Sequence, residues 1–377
     1  MRQLTQDGLL DAIRAWVDIE SPTNDAAGVN TVADHAEALL RAIGAEIERT
    51  PGRDGYGDIL IGRIAGAGEG PGILVLGHMD TVHQRGTFAF RAEGGRAYGP
   101  GIYDMKGGNA IAMAALAHLH AHGVAPRLPV SVMLIPDEEV GSPSSRAAIE
   151  AEALRHRCVL VVEPSGEGGK LTVARHGIAR WRITTTGAPA HAGAYHADGA
   201  SAVREMAHHI LALEALTDYA RNFTVNIGTV AGGTHENMVP ALCGAMCYAL
   251  VPTAREAAEL RQAVLSLPQH DTRVATVVAE GRGRPPFEKT PQIQALYDHA
   301  AALAAEIGAP VRGERVAGGG SDGNFTGALG VPTLDGLGVI GGGPHTLQEF
   351  VELDCLVPRT RLLARLFETL GPGTAGL

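Results

Sequence analysis

The sequence lacks several things whose absence is informative. No apolar run approaches the ~20 residues of a membrane span. The opening Met-Arg-Gln-Leu-Thr-Gln-Asp runs into a helical pattern without the apolar stretch of a signal peptide, so a cytoplasmic protein is expected. Basic charge is short: 31 Lys and Arg face 41 Asp and Glu, a formal net charge of −10. Nucleic acid and anionic membranes need a basic face and are excluded as partners. A small anionic substrate is not, because it feels the local site rather than the net charge. Cysteine is scarce too. The four, Cys158, Cys243, Cys247 and Cys355, form no C-x-x-C pair, and Cys243 and Cys247 lie in an apolar segment. Buried free thiols are expected, and no disulfides.

What is present is a chain of 377 residues, longer than the ~250–300 at which single cores stop growing, so two domains are expected. Its 50 Gly and 21 Pro are spread rather than clustered. Apolar spacing predicts helices over 5–19 and 27–43, broken at Ser21-Pro22-Thr23. Strands are predicted over 58–64, 73–77, 129–136 and 158–164, with helices over 104–122 and 143–153. The run at 73–77 reads as a buried parallel strand. This alternation implies an α/β domain with a mainly parallel sheet. Near residue 176 the pattern changes to strand 178–186, helix 199–216, strands 223–231 and 241–251, helix 254–266 and strand 272–280. That β-α-β-β-α-β order predicts a smaller α+β, ferredoxin-like insert over 176–288. Helices over 290–308 and 355–371, with strands over 311–317 and 331–336, return the chain to the first domain, 1–175 and 289–377.

His78 and Asp80 follow one predicted strand, Glu138 and Glu139 another, and Glu163 ends a third. In open α/β sheets ligands bind outside the carboxyl ends of strands, so three strands deliver polar groups to one rim. Asp104 is expected to begin the helix after the turn YGPGIYD. One such residue alone is ordinarily surface or satisfied core, but chance does not place five at strand ends. Imidazoles and carboxylates without thiolates suit Zn²⁺, Mn²⁺ or Co²⁺. A shared carboxylate can hold two ions ~3.5–4 Å apart, leaving one acid of the Glu138-Glu139 pair as general base toward a water.

The segments GHMDTV (77–82), GPGIYDMKGG (99–108), PDEEVGS (136–142), VVEP (161–164), GAPAHAG (187–193) and GGGPH (341–345) resemble the di-zinc amidohydrolase superfamily. That superfamily includes glutamate carboxypeptidase, aminoacylase, acetylornithine deacetylase, succinyl-diaminopimelate desuccinylase and several dipeptidases. The bacterial glutamate carboxypeptidases are the nearest in pattern, sharing GGGSD (318–322) and the RGRPxF-type segment (282–287). The resemblance implies an amide-cleaving hydrolase with two divalent ions, most simply Zn²⁺. By motif, His78 and Glu163 are similar to the ligands of one ion, Glu139 and His345 to those of the other, and Asp104 to the bridging carboxylate. Asp80 would orient His78, and Glu138 matches the general base that moves a proton from the attacking water to the leaving amine. His191 matches a histidine that stabilises the oxyanion and, in dimeric relatives, comes from the neighbouring subunit. A homodimer through the insert, closing around a small-molecule substrate, is also implied.

One departure matters for substrate choice. Many relatives carry Asp-x-Arg late in the insert, where the Arg grips a substrate carboxylate. Aligned on Val251-Pro252, Tyr248 stands for that Asp and Leu250 for that Arg. Either other groups hold the carboxylate, such as His235, Asn237, Arg282, Arg284 or the amides of Gly318, Gly319 and Gly320, or the substrate is an amide or amine without one there. A non-catalytic binding protein of the same fold is disfavoured by the intact ligand set and Glu138, and a related di-metal aminopeptidase by GAPAHAG. His118, His120 and His122 suit a helix C-terminus rather than a metal. His83 is expected to pack its loop, and His208-His209 to lie at a surface or interface. Ser142 and Ser144 lack the His/Asp partners of a nucleophile.

Overall fold

A computed structural model describes residues 4–316 and 318–374. It is a mixed α/β fold made of two compact units. The first comprises Met1–Ala174, Lys289–Arg315 and Ser321–Leu377; the second comprises Arg175–Glu288 and Val316–Gly320.

The first unit carries a six-stranded sheet in the order Glu46–Thr50, Ile59–Ile64, Val130–Ile135, Ile73–His78, Cys158–Val161, Thr333–Leu334. The last four run parallel, and the first two are antiparallel additions. Ile73–His78 is buried along its whole length between two parallel neighbours, which is why it reads as an unbroken apolar run. Leu74, Leu76, Met133 and Ile135 meet Ile149 and Ala153 of the helix Arg146–Ala153, together with Phe325. The helix Gly107–Ala121 packs beside the helices Gln6–Val17 and Leu356–Thr369. Its start comes close to a strand end: a Cβ on Gly108 would lie 1.9 Å from the Val162 carbonyl oxygen, so only glycine fits.

In the second unit the strands Gly177–Thr186, Thr224–Gly232, Leu242–Val251 and Ala275–Glu280 form an antiparallel sheet. The order is second, third, first, fourth, and the helices Ala202–Glu214 and Ala254–Leu265 supply the β-α-β-β-α-β connection. Burial along Leu242–Val251 alternates strictly. Cys243, Ala245, Cys247, Ala249 and Val251 enter a core with Met206, Leu213, Leu260 and Val264, while Tyr248 and Leu250 occupy the opposite face. All four cysteines are buried and free.

Three expectations are corrected. Asp104 does not begin a helix: with φ −118° and ψ 93° it sits in a distorted turn, Ile102–Lys106, and the helix starts at Gly107. His209 is not at a surface; it is buried, with Nε2 3.0 Å from Thr276 Oγ1, whereas its exposed neighbour His208 stacks on His270. The strands expected over 331–336 and 311–317 shorten to Thr333–Leu334 and Gly313–Val316, and residue 317 lies outside the described residues.

Candidate metal centre

Every ligand candidate lies in the first unit, at the carboxyl ends of its parallel strands or in the turns beside them. His78 ends Ile73–His78, Glu138 and Glu139 form the turn just after Val130–Ile135, and Glu163 follows Cys158–Val161. His345 comes from the turn after Gly341–Gly342, where it adopts φ 63°. A non-glycine residue in that left-handed region is strained, and such strain gathers at functional sites.

The side chains converge. One ligand atom from each of His78, Glu138 and Glu163 lies within 4.8 Å of the others, and the same holds for His78, Asp104 and Glu139. His78 Nε2 is 3.2 Å from Asp104 Oδ1 and 3.9 Å from Glu163 Oε1. His345 Nε2 is 3.4 Å from Asp104 Oδ2 and 3.2 Å from Glu139 Oε2. The two oxygens of Asp104 therefore face different imidazoles, an arrangement that lets one carboxylate reach two cations.

Asp80 works from behind. Its backbone carbonyl is 2.9 Å from His78 Nδ1 and its Oδ1 is 3.3 Å away. Its carboxylate also accepts the Glu138 amide at 3.1 Å, the Glu139 amide at 3.2 Å and the Thr23 hydroxyl at 2.7 Å. With Nδ1 committed to these acceptors as a donor, Nε2 of His78 is the nitrogen turned toward Asp104 and the one that would exchange its proton for a metal. Asn109 Nδ2 donates to the His78 carbonyl at 2.7 Å and holds the strand end.

The acid–base properties show how much charge is packed here. Burial opposes protonation of His78, yet hydrogen bonds to Asp104 and Asp80 raise it well above the ordinary imidazole value. Hydrogen bonds to Asp104 and Glu139 lift His345 to about 10. Burial, and then the Asp104 charge, raises Glu163 well above the usual carboxylate range, and burial raises Glu139. Asp104 is held low: burial opposes this, but His345 and His78 win. The cluster demands positive charge. Glu139 Oε1 is buried without a hydrogen-bond partner, which is uncommon unless something else takes that lone pair. Carboxylate oxygens and imidazole nitrogens without thiolate suit Zn²⁺, Co²⁺ or Mn²⁺, so the donor set fits a divalent metal.

The remaining candidates lie in the second unit. His191 is exposed, and its Nδ1 accepts the amides of Gly193 and Ala194, both at 3.1 Å. Two donors on Nδ1 place the proton on Nε2, making that nitrogen an outward hydrogen-bond donor. His191 lines a surface pocket of about 520 Å³ with Pro189, Ala190, His235, Asn237 and Met238. The Ala192 amide donates to the Asn237 carbonyl at 2.8 Å, which ties the two loops together. Arg284 is buried and pairs its backbone with Ile178, and a Cβ on Gly320 would lie 2.5 Å from its Cδ. Arg175 Nη1 is 3.4 Å from the Gly319 carbonyl, Gly318 has open space at its Cβ position, and Arg282 is exposed. Leu250 pairs with Thr224 on one side and Ile178 on the other. The Arg180 guanidinium lies 5.3 Å from the Tyr248 ring centroid.

Other histidines stay outside the ligand cluster. His122 Nδ1 is 2.8 Å from the His118 carbonyl at a helix end, and His83 is buried with Nε2 2.6 Å from Glu349. Thr23, Asn109 and Glu349 were not legible as site residues. Thr23 and Asn109 act over 57 and 31 residues of chain, and only the closeness of Glu349 to His345 could have flagged it.

The chain is similar to known proteins along nearly its whole length. The sequence profile described as peptidase family M20/M25/M40 matches residues 74–369. Carboxypeptidase G2 of Pseudomonas sp. (strain RS-16) is 34% identical over 380 residues, covering 98% of this chain and 90% of that protein. Acetylornithine deacetylase of Myxococcus xanthus is 34% identical over 231 residues, covering 56% and 58%. In fold, aminopeptidase PepT from Bacillus cereus superposes with a TM-score of 0.79 at 22% identity, covering 97% of this chain and 98% of that one. Strand-end ligands, family profile and near-full-length similarity converge: the chain belongs to peptidase family M20/M25/M40 and is a hydrolase acting on C–N bonds.

Proposed function

We propose that this protein is a two-metal hydrolase that cleaves an amide bond of a small, carboxylate-bearing substrate, in the manner of carboxypeptidase G2. The observation that carries the reading is Asp104 between two imidazoles, with one oxygen toward His78 and the other toward His345. His78 and Glu163 would hold one ion, Glu139 and His345 the other, and Asp104 both; Zn²⁺ is the favoured ion, with Co²⁺ or Mn²⁺ as substitutes. When bound, the pair supplies Lewis acidity toward the amide carbonyl and makes a water acidic enough to attack near neutral pH. Glu138 takes the proton of the attacking water and returns it to the leaving nitrogen. Asp80 keeps His78 in one tautomer and holds the amides of both Glu138 and Glu139, so base and ligand keep a fixed spacing. His191, with its proton on Nε2, donates to the oxyanion.

The substrate carboxylate would be met by the second unit, through Arg284 or Arg282, Asn237 and the amides of Gly318, Gly319 and Gly320. A second reading is favoured by Leu250, which puts an alkyl chain where many relatives carry an Arg: the substrate is then an amide or amine with no carboxylate at that point. The second unit also suits a homodimer. Its sheet leaves Thr224–Gly232 as an edge strand, Val230 is 57% exposed, and Leu211 on the neighbouring helix is 71% exposed. Four free buried thiols suit a reducing cytoplasm.

Metal removal tests the reaction. Chelation abolishes hydrolysis and added Zn²⁺, Co²⁺ or Mn²⁺ restores it; full activity in the chelated protein refutes the mechanism. A metal-supplemented screen across N-acyl amino acids, dipeptides, folate-like glutamates and non-carboxylate amides separates the two substrate readings. Turnover confined to the last class removes the first.

A further inference from the structure

We propose that Glu349 is the positioning residue of the metal centre, fixing the bridging carboxylate of Asp104 through the backbone; this rests on the two-metal reading above. Glu349 is 1% exposed. Its Oε1 accepts the amides of Tyr103 at 2.8 Å and Asp104 at 2.9 Å. Its Oε2 accepts the Gly101 amide at 3.1 Å and lies 2.6 Å from His83 Nε2. A buried carboxylate is costly unless its lone pairs are filled, and here four donors fill them.

Three amides of one short segment converge on this carboxyl group, and the chain curls around it. That curl is the non-helical geometry of Asp104, just ahead of the helix that starts at Gly107. Without the carboxylate these three amides lose their acceptor, and the aim of the Asp104 side chain loses its anchor. Asp104 needs that aim because its two oxygens serve two imidazoles.

Glu349 reaches further than Asp104. It follows His345 by four residues, beyond a turn closed by Thr346 Oγ1 donating to the Gly343 carbonyl at 2.8 Å. His83, its side-chain partner, lies five residues past His78 on the loop leaving that strand. One carboxylate thus links the segments that carry His78, Asp104 and His345. It acts through them and touches no reacting atom.

The test compares wild type with Glu349→Gln by zinc stoichiometry, zinc affinity in competition with a chromophoric chelator, and the Tm of the metal-free proteins. Glutamine keeps the shape but turns an NH₂ toward groups that are themselves donors. Partners behind metal ligands are worth roughly 10–100-fold in metal affinity. The expected result is a zinc affinity about 10–100-fold weaker for at least one of two ions, with the metal-free Tm within about 3 °C of wild type. His83→Gln, which leaves the three amide contacts in place, should lose about 3–10-fold and keeps the test valid if Glu349→Gln does not fold. Unchanged zinc affinity in both variants overturns the proposal. So does a loss of affinity matched by an equal collapse of the metal-free protein, since that is a merely structural role. If the wild type itself binds fewer than two ions, the two-metal reading has failed instead.

Discussion

In the first unit the polar groups that matter are crowded and, His345 apart, largely buried, with imidazole nitrogens 3.2–3.9 Å from carboxylate oxygens and one carboxylate oxygen lacking any hydrogen-bond partner. In the second unit His191 stands at the surface, its inner nitrogen satisfied by amides of its own loop and its outer nitrogen open. The first arrangement is an excess of negative charge that a cation can neutralise. The second is a hydrogen-bond donor held in readiness. Changes at the ligand candidates of the first unit should therefore disturb metal and chemistry together, whereas changes at Glu138 and at His191 should touch turnover alone.

The sharpest way to break that comparison is a pair of variants. Glu138→Gln should lower kcat by about 10³–10⁴-fold while both ions still bind. His191→Ala should lower it by about 10²–10³-fold with no change in metal affinity, the scale of one lost oxyanion donor. Steady-state kinetics with metal analysis checks both, and a loss of zinc in His191→Ala would contradict the division. Next in size is Leu250→Arg, on the outward face of the second sheet. It should raise kcat/KM about 10-fold for carboxylate-bearing substrates and leave carboxylate-free amides unchanged, roughly one charge-assisted hydrogen bond. Equal kinetics on both classes would show that residue 250 does not meet the substrate.

The smallest effect separates two kinds of buried acid within the first unit. Glu152 is buried like Glu139 but has its own cation: Arg63 reaches its two oxygens at 2.5 and 3.1 Å. Burial alone would raise its pKa, yet the Arg63 hydrogen bonds and charge hold it below the usual value. A depressed folded pKa means that the stability is present above the unfolded value near 4.5 and is lost as pH falls through the folded value. Glu152→Gln should cost about 1–2 kcal/mol at pH 7 and flatten the acid limb of stability, read by denaturant unfolding at about pH 3–7. An unaltered acid limb would mean that Arg63 does not set its charge.

How much of this the sequence discloses depends on what sets each feature. Ile73–His78, Val130–Ile135 and Cys158–Val161 are legible because strands buried on both faces must be apolar throughout, and the polar residues that end them then stand out. The second unit is legible because a half-buried sheet imposes alternation, as along Leu242–Val251. The turn at Asp104 is not, since its shape is set by Glu349 from 245 residues away. Nor is Thr23 behind Asp80, or the burial of His209 on a helix whose sequence also suits an exposed face. Short polar strands such as Arg91–Glu93 and Arg96–Tyr98 escape for the same reason: pairing, not composition, makes them strands.

The two imidazoles that flank Asp104 differ in access, His78 being 1% exposed and His345 53%. The carboxylate of Asp104 thus spans from the interior to the solvent edge: one of its imidazole neighbours is sealed from water and the other is reachable by it.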